Sequence, residues 1–113
     1  MTAKFNYAIK FVADMDEAVR FHREKLGLTL KFQSPEWSEF ATGDTTLALH
    51  AASPKNPAGT VELGYAVTDL RSLYATRQSN GLGFITPPHE LHGVLLAQIR
   101  DSEGANYSLS GPL

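Results

Sequence analysis

The sequence predicts an α+β protein in which two tandem βαβββ modules form a curved, mixed sheet around a cleft. The main observation is that an order of one strand, one helix and three strands occurs twice along the 113 residues. In addition, residues 11–15 align with residues 66–70, and residues 27–28 align with residues 81–82 at nearly the same spacing. Each half is therefore expected to be one copy of the same supersecondary unit.

A single domain suits the length of the chain. The first module is expected to cover residues 1–52 and the second to cover residues 61–113. Residues 53–60 include two prolines and a glycine, which predict a linker loop. Because the one helix of each module covers only one face of its strands, the open faces of the two modules are expected to form a ligand-binding cleft.

The first module begins with an apolar segment, residues 5–12, which predicts a strand. Asp14 follows, with Glu17 three residues later, and this spacing is typical of a capped helix N-terminus. Apolar residues then recur at helical spacing until Gly27, which predicts the end of the helix. Alternating apolar residues and turn residues predict three further strands, at 28–33, 37–42 and 45–52.

The second module repeats this order. Its first strand is predicted at residues 61–67, and Asp69 is predicted to cap a helix that ends at Gly81. Three strands are then predicted at 82–86, 93–100 and 105–110. Pro87-Pro88 is expected to end the first of these strands, because proline has no backbone N–H for a sheet.

Composition excludes several functional classes. The net charge is −2 and no basic stripe is present, so no nucleic-acid partner is expected. The absence of cysteine excludes disulfides and thiolate catalysis. No apolar run approaches the roughly 20 residues that cross a bilayer, and the N-terminus does not resemble a signal peptide. We therefore expect a cytoplasmic protein without a membrane partner. Phosphate-loop, dinucleotide-binding and serine-hydrolase motifs are also absent.

Three segments resemble the vicinal-oxygen-chelate superfamily, which includes glyoxalases, bleomycin-resistance proteins and extradiol dioxygenases. Residues 11–28, FVADMDEAVRFHREKLGL, resemble its opening strand–helix unit. Residues 37–50, WSEFATGDTTLALH, resemble its third and fourth strands, and residues 87–111 resemble its terminal segment. The resemblance covers nearly the whole chain and implies the glyoxalase/bleomycin-resistance fold. Since this fold supports many activities, it does not by itself imply one of them.

The resemblance also implies where a divalent metal would be held, at positions that here are Tyr7, Ala48, Glu62 and Ser108. Of these only Glu62 is a good metal ligand, whereas catalytic metal sites usually have three protein ligands. No cofactor is therefore expected. The alternative is a shifted divalent metal site that uses His50 and Glu62, with Tyr7 or a water, because His50 should point to the same strand face as Ala48.

Three functions follow as hypotheses. The first is metal-independent binding of a small apolar or aromatic molecule, in which Trp37 would offer its flat ring. The expected ligand-binding residues are Tyr7, Trp37, His50, Glu62 and Ser108. The second is an enzyme of the superfamily, a lyase, isomerase or dioxygenase, with Glu62 as the catalytic base or with the shifted metal site. The third is a dimerising or protein-docking module. A homodimer is expected, because half-open sheets gain from being covered.

Overall fold

The computed structural model describes residues 2–113. Within these residues the order βαβββ occurs twice, as predicted. The elements of the first repeat are β1 (Lys4–Val12), α1 (Met15–Arg20), which continues as a π-helical segment (Phe21–Lys25), β2 (Thr29–Phe32), β3 (Trp37–Thr42) and β4 (Thr45–Ala51). The elements of the second repeat are β5 (Val61–Ala66), α2 (Leu70–Ala75), α3 (Arg77–Asn80), β6 (Gly83–Leu91), β7 (Val94–Arg100) and β8 (Asn106–Gly111). The predicted α+β class is confirmed.

The chain forms two compact units. The first unit is Asn6–Glu62, and the second is Leu63–Leu113 together with the N-terminal residues up to Phe5. In the first unit the strand order is β2-β3-β4-β1, with β1 parallel to β4 and the other neighbours antiparallel. In the second unit the order is β6-β7-β8-β5, in which residues 63–66 of β5 run parallel to β8 and the other neighbours are antiparallel. The internal repeat therefore extends to the sheet topology of each unit.

The helix of the first unit begins as the sequence predicts. The Asp14 carboxylate accepts a hydrogen bond from the Glu17 backbone N–H at 3.0 Å, which satisfies a donor at the helix N-terminus. The later turns widen into the π-helical segment, which was not predicted. The His22 Nδ1 bonds the Ala18 carbonyl at 2.7 Å and so competes for the acceptor that an α-helix would use. Gly27, at φ 69°, ends the helix.

Under this helix lies the main core of the first unit, formed by four buried residues, Val12, Val19, Phe40 and Leu49. The opposite face of the same sheet buries Ile9, Phe11 and Ala48. Ala48 and Leu49 are therefore both 0% exposed. β4 was predicted to be half-buried, but its centre is covered on both faces.

The second unit has an equivalent core, in which Asp69 caps α2 by accepting from the Ser72 N–H at 3.0 Å. Its buried residues are Val67, Leu70, Leu95, Ala97, Ile99 and Leu109. β8 ends at Gly111, where a Cβ would come within 2.9 Å of the Val67 carbonyl oxygen. The absence of a side chain at Gly111 lets the strand end approach the segment that enters α2 closely.

The prediction that Pro87-Pro88 ends a strand is wrong. β6 runs through both prolines to Leu91 and pairs with β7 on both sides of them. Two properties make this possible: β6 is at the edge of the second unit's sheet, and its register shifts between Phe84 and Thr86 and again between Thr86 and His89. Prolines are tolerated at edge strands and bulges, where no ladder donor is needed.

The β6–β7 hairpin carries two histidines. His89 falls between the strands predicted at 82–86 and 93–100, but it is an exposed residue of β6. His92 and Gly93 form the two-residue turn, with φ values of 52° and 83°. Positive φ at both central residues matches the twist of a tight hairpin.

Among residues 2–113, no helix combines the length and apolar character that crossing a membrane requires.

Candidate ligand-binding site

Three of the predicted site residues lie together on the helix-free face of the first unit's sheet. Phe40 and Leu49 pack under the helix, so their alternating neighbours along β3 and β4 point to the other face. Trp37 and His50 are directly paired in register, and their ring centroids lie 5.7 Å apart at 86°. The Tyr7 ring lies 6.0 Å from Trp37 at 61°. We call Tyr7, Trp37 and His50 the aromatic cluster.

A fourth residue, Glu39, organises the aromatic cluster and was not predicted from the sequence. Its Oε2 accepts a hydrogen bond from Trp37 Nε1 at 2.7 Å, and its carboxylate also accepts one from the Tyr7 hydroxyl. Lys31 Nζ lies 3.6 Å from Glu39 Oε1. The Glu39 side chain is 20% exposed. The available signal was its spacing of two from Trp37 in a predicted strand, which places both side chains on one face.

The electrostatics of Tyr7 reflect this arrangement. Burial raises the pKa of the Tyr7 hydroxyl above its ordinary value, and the negative charge of Glu39 and the hydrogen bond to it raise the pKa further. All three causes favour the protonated hydroxyl, which is the form that can donate to a carboxylate. Tyr7 is therefore held as a neutral hydrogen-bond donor to Glu39.

His50 has a defined tautomer when it is neutral. Its Nδ1 lies 2.8 Å from the Ala51 carbonyl oxygen. Because a carbonyl can only accept, Nδ1 carries the proton and Nε2 keeps its lone pair. The ring also contacts Phe11, at 5.2 Å between centroids. His50 thus adds a hydrogen-bond acceptor to the aromatic cluster.

The other two predicted site residues are placed as follows. Glu62 lies in β5 and is buried, with 7% of its surface exposed. Ser108 belongs to the second unit, where it is half-buried on β8 and is paired in register with Gly64 and Gln98. The joint role of Tyr7, Trp37, His50, Glu62 and Ser108 in one site stays a prediction.

The residues at the implied metal positions do not fit a metal. The Tyr7 hydroxyl is hydrogen-bonded to Glu39, and Ala48 is a fully buried methyl group. A serine hydroxyl such as that of Ser108 is a poor ligand at neutral pH, which leaves Glu62 as the one strong donor. Across residues 2–113, no three side chains of the His, Cys, Asp and Glu types lie together as a candidate ligand set.

The remaining histidines lie outside the aromatic cluster. His22 packs against Phe40 on the helix side of the sheet, with 5.6 Å between ring centroids. His89 and His92 are exposed on the β6–β7 hairpin.

A separate surface depression of about 680 Å³ lies where β1 leads into α1, and it is lined by residues 13–16 and 33–35. Its polar side chains are already paired in part, since Gln33 Nε2 donates to Asp16 at 3.0 Å.

Comparison with known proteins agrees with the fold. A family model described as the Glyoxalase/Bleomycin resistance protein/Dioxygenase superfamily matches residues 4–106. No curated protein matches the chain. A hypothetical protein from Bacillus halodurans C-125 superposes with a TM-score of 0.83 at 16% identity, covering 100% of this chain and 96% of that one.

Two further solved structures are similar. Methylmalonyl-CoA epimerase from Mycobacterium tuberculosis has a TM-score of 0.78 at 18% identity, covering 97% of this chain and 88% of that one. A glyoxalase/bleomycin resistance protein/dioxygenase superfamily member from Vibrio splendidus 12B01 has a TM-score of 0.75 at 14% identity, covering 97% of this chain and 99% of that one. At these identities the likeness shows the fold alone. Together with the family model it establishes that this chain belongs to the glyoxalase/bleomycin resistance protein/dioxygenase superfamily.

Proposed function

We propose that the protein binds a small aromatic molecule against the aromatic cluster, without a metal ion. The observation that carries this proposal is that the half-buried rings of the aromatic cluster pack edge to face. The Glu39 carboxylate fixes two of these rings by hydrogen bonds. Rings locked in this way lose little freedom when a ligand binds, which reduces the cost of association. A flat ligand would gain about 0.5–1.5 kcal/mol per favourable ring contact beyond the area it buries.

The site also has the composition expected of a ligand pocket. Apolar side chains, Ile9 and Phe11, lie beside the cluster on the same face of the sheet. A few polar groups, Glu39 and His50, are fixed by hydrogen bonds and could orient a ligand. Small-molecule sites commonly combine mostly apolar walls with a small number of placed polar atoms.

A second candidate function is metal-independent proton transfer with Glu62 as the base. The observation that favours it is the burial of Glu62, which is 7% exposed and so lies largely out of contact with bulk water. A carboxylate positioned within hydrogen-bond reach of a substrate can act as a general base and remove a proton next to a carbonyl. Homodimerisation, cytoplasmic location and the absence of nucleic-acid and membrane partners stay predictions.

Binding can be tested with a matched pair of ligands, 2-phenylethanol and its saturated analogue 2-cyclohexylethanol. Trp37 is the single tryptophan, so its fluorescence reports on the site directly. We expect a saturable change and an upward thermal shift with the aromatic compound, because a ligand that binds only the folded state stabilises it. The saturated analogue should bind more weakly.

The variant Trp37→Leu should lose the thermal shift, whereas His89→Ala, an exposed change in β6, should keep it. Equal binding of both compounds, or an unchanged shift in Trp37→Leu, would contradict an aromatic site at this position.

A further inference from the structure

We propose that Glu39 makes the aromatic cluster selective for ligands whose ring carries a protonated amine. This inference rests on the proposed function and adds the chemical class of the ligand. Some hydrogen-bonding groups of the cluster are already occupied inside the protein, and the groups that remain determine which ligand fits.

The polar hydrogens of the aromatic cluster are used internally. Trp37 Nε1 donates to Glu39 at 2.7 Å, and the Tyr7 hydroxyl donates to the same carboxylate. The His50 Nδ1 donates to the Ala51 carbonyl oxygen at 2.8 Å. With His50 neutral, none of the three rings therefore offers a hydrogen to a ligand without breaking one of these bonds.

The groups that remain are electron-rich. An ionised carboxylate has about four acceptor positions, and the protein fills two on Glu39 with ring donors, with Lys31 nearby at 3.6 Å. The Nε2 of neutral His50 is a second acceptor. The faces of Trp37 and Tyr7 carry the negative part of an aromatic quadrupole, which attracts cations. A ligand that supplies a positive charge with N–H donors complements all of these groups.

Within residues 2–113, Lys31 is the one cation that forms an ion pair with Glu39. It would therefore compete with a ligand ammonium group for this carboxylate. Its side chain is 46% exposed and lies in β2, and its Nζ is too far from Glu39 Oε1 for a short charge-assisted hydrogen bond. An ion pair at this separation is weak when water still solvates one partner, as it does the exposed Lys31 ammonium group. A ligand ammonium group seated among the rings can therefore displace Lys31 from Glu39.

Three compounds of similar size test the charge preference: 2-phenylethylamine, neutral 2-phenylethanol and anionic 3-phenylpropanoate. Their dissociation constants are measured at pH 7 and low salt through the fluorescence of Trp37. We expect the amine to bind about tenfold more tightly than the alcohol, which corresponds to one charge-assisted hydrogen bond. The carboxylate should bind most weakly.

Two variants should change the preference in opposite directions. Glu39→Gln keeps an acceptor for Trp37 and Tyr7 but removes the charge, so the ratio of amine to alcohol affinity should fall to about one. Lys31→Met removes the competing cation, so the amine should bind more tightly while the alcohol is unaffected. Lys25→Met, on the π-helical segment, removes the same charge elsewhere and should leave all three constants unchanged.

The outcomes separate this inference from the proposed function. If the amine and the alcohol bind equally to the native protein, and neither Glu39→Gln nor Lys31→Met changes the ratio, the charge preference is overturned while aromatic binding stands. If none of the three compounds binds, aromatic binding itself is contradicted. Should Glu39→Gln fail to fold, Lys31→Met decides the question, because the Lys31 side chain is 46% exposed and its replacement leaves the core unchanged.

Discussion

At the scale of single residues, Glu39 links two site residues, Tyr7 and Trp37, that lie on different strands. Tyr7, Trp37 and His50 were each predicted as site residues, and the structure brings them together. The carboxylate that receives hydrogen bonds from two of them was not predicted. Its position in a strand was evident, but its partner Tyr7 lies on a different strand, and only the pairing of β1, β4 and β3 brings the two residues together. A local pattern cannot report a contact between distant segments.

The raised pKa of Tyr7 predicts a pH dependence of stability. Because the pKa in the folded protein is above the ordinary value of about 10, the neutral Tyr7 contributes stability below that pH, and this contribution is lost as the pH rises through the folded pKa. The free energy of unfolding should therefore fall more steeply above about pH 10 in the native protein than in Tyr7→Phe. Urea denaturation across this range measures the difference.

A second tyrosine with a raised pKa, Tyr107, lies in the second unit. The pKa of Tyr107 is also raised, by burial first and then by Tyr65 and Asp101, so Tyr107→Phe should give a separate difference of the same sign. If Tyr7→Phe follows the same pH profile as the native protein, burial and the Glu39 carboxylate do not raise the pKa of Tyr7 as described.

At the scale of elements, local signals predicted the helix starts well and one strand badly. Asp14 and Asp69 cap their helices as expected, because capping depends on residues three positions apart. β6 was predicted to stop at Pro87-Pro88 but continues to Leu91. Whether a proline interrupts a strand depends on which side needs a donor, and that is decided by the strand's place at the edge of its sheet.

The close approach at the end of β8 gives an element-scale prediction. Gly111→Ala should lower the free energy of unfolding by about 1–3 kcal/mol, since the added methyl group would overpack a filled region. Its Cβ would lie 2.9 Å from the Val67 oxygen and 3.3 Å from the Leu70 Cβ. Urea denaturation provides the measurement.

Gly83→Ala is the matched control, because Gly83 is also in a strand but has nothing within 4 Å of an added Cβ. This change should be neutral or stabilising by about 0.4–1 kcal/mol, through the reduced freedom of the unfolded chain. Equal stability of the Gly111→Ala and native proteins would show that the contact is relieved by a small shift.

At the scale of the whole molecule, the fold and the chemistry of the site have separate origins. The superfamily fold is established over residues 4–106. The side chains at the implied metal positions are nevertheless Tyr7, Ala48, Glu62 and Ser108, which differ from a ligand set in chemical type. A fold sets where a site can be, whereas the side chains in it determine which reaction or ligand it supports.

This separation predicts that folding does not depend on a divalent ion. Elemental analysis of the purified protein should find less than one equivalent of any divalent metal, and treatment with a chelator should leave the thermal midpoint unchanged. A bound ion would otherwise add stability that the chelator removes. A stoichiometric ion, together with its loss in His50→Ala, would instead support the shifted site that uses His50 and Glu62.

The sequence by itself determined the fold class, the repeated order of elements, the helix caps and the family, because these depend on local spacing and on patterns that run along the chain. Only the tertiary structure decided that Glu39 joins Tyr7 and Trp37 and that β6 passes through its prolines. The physical reason is that strand register and edge position arise from which segments become neighbours, and a linear pattern specifies that only in part.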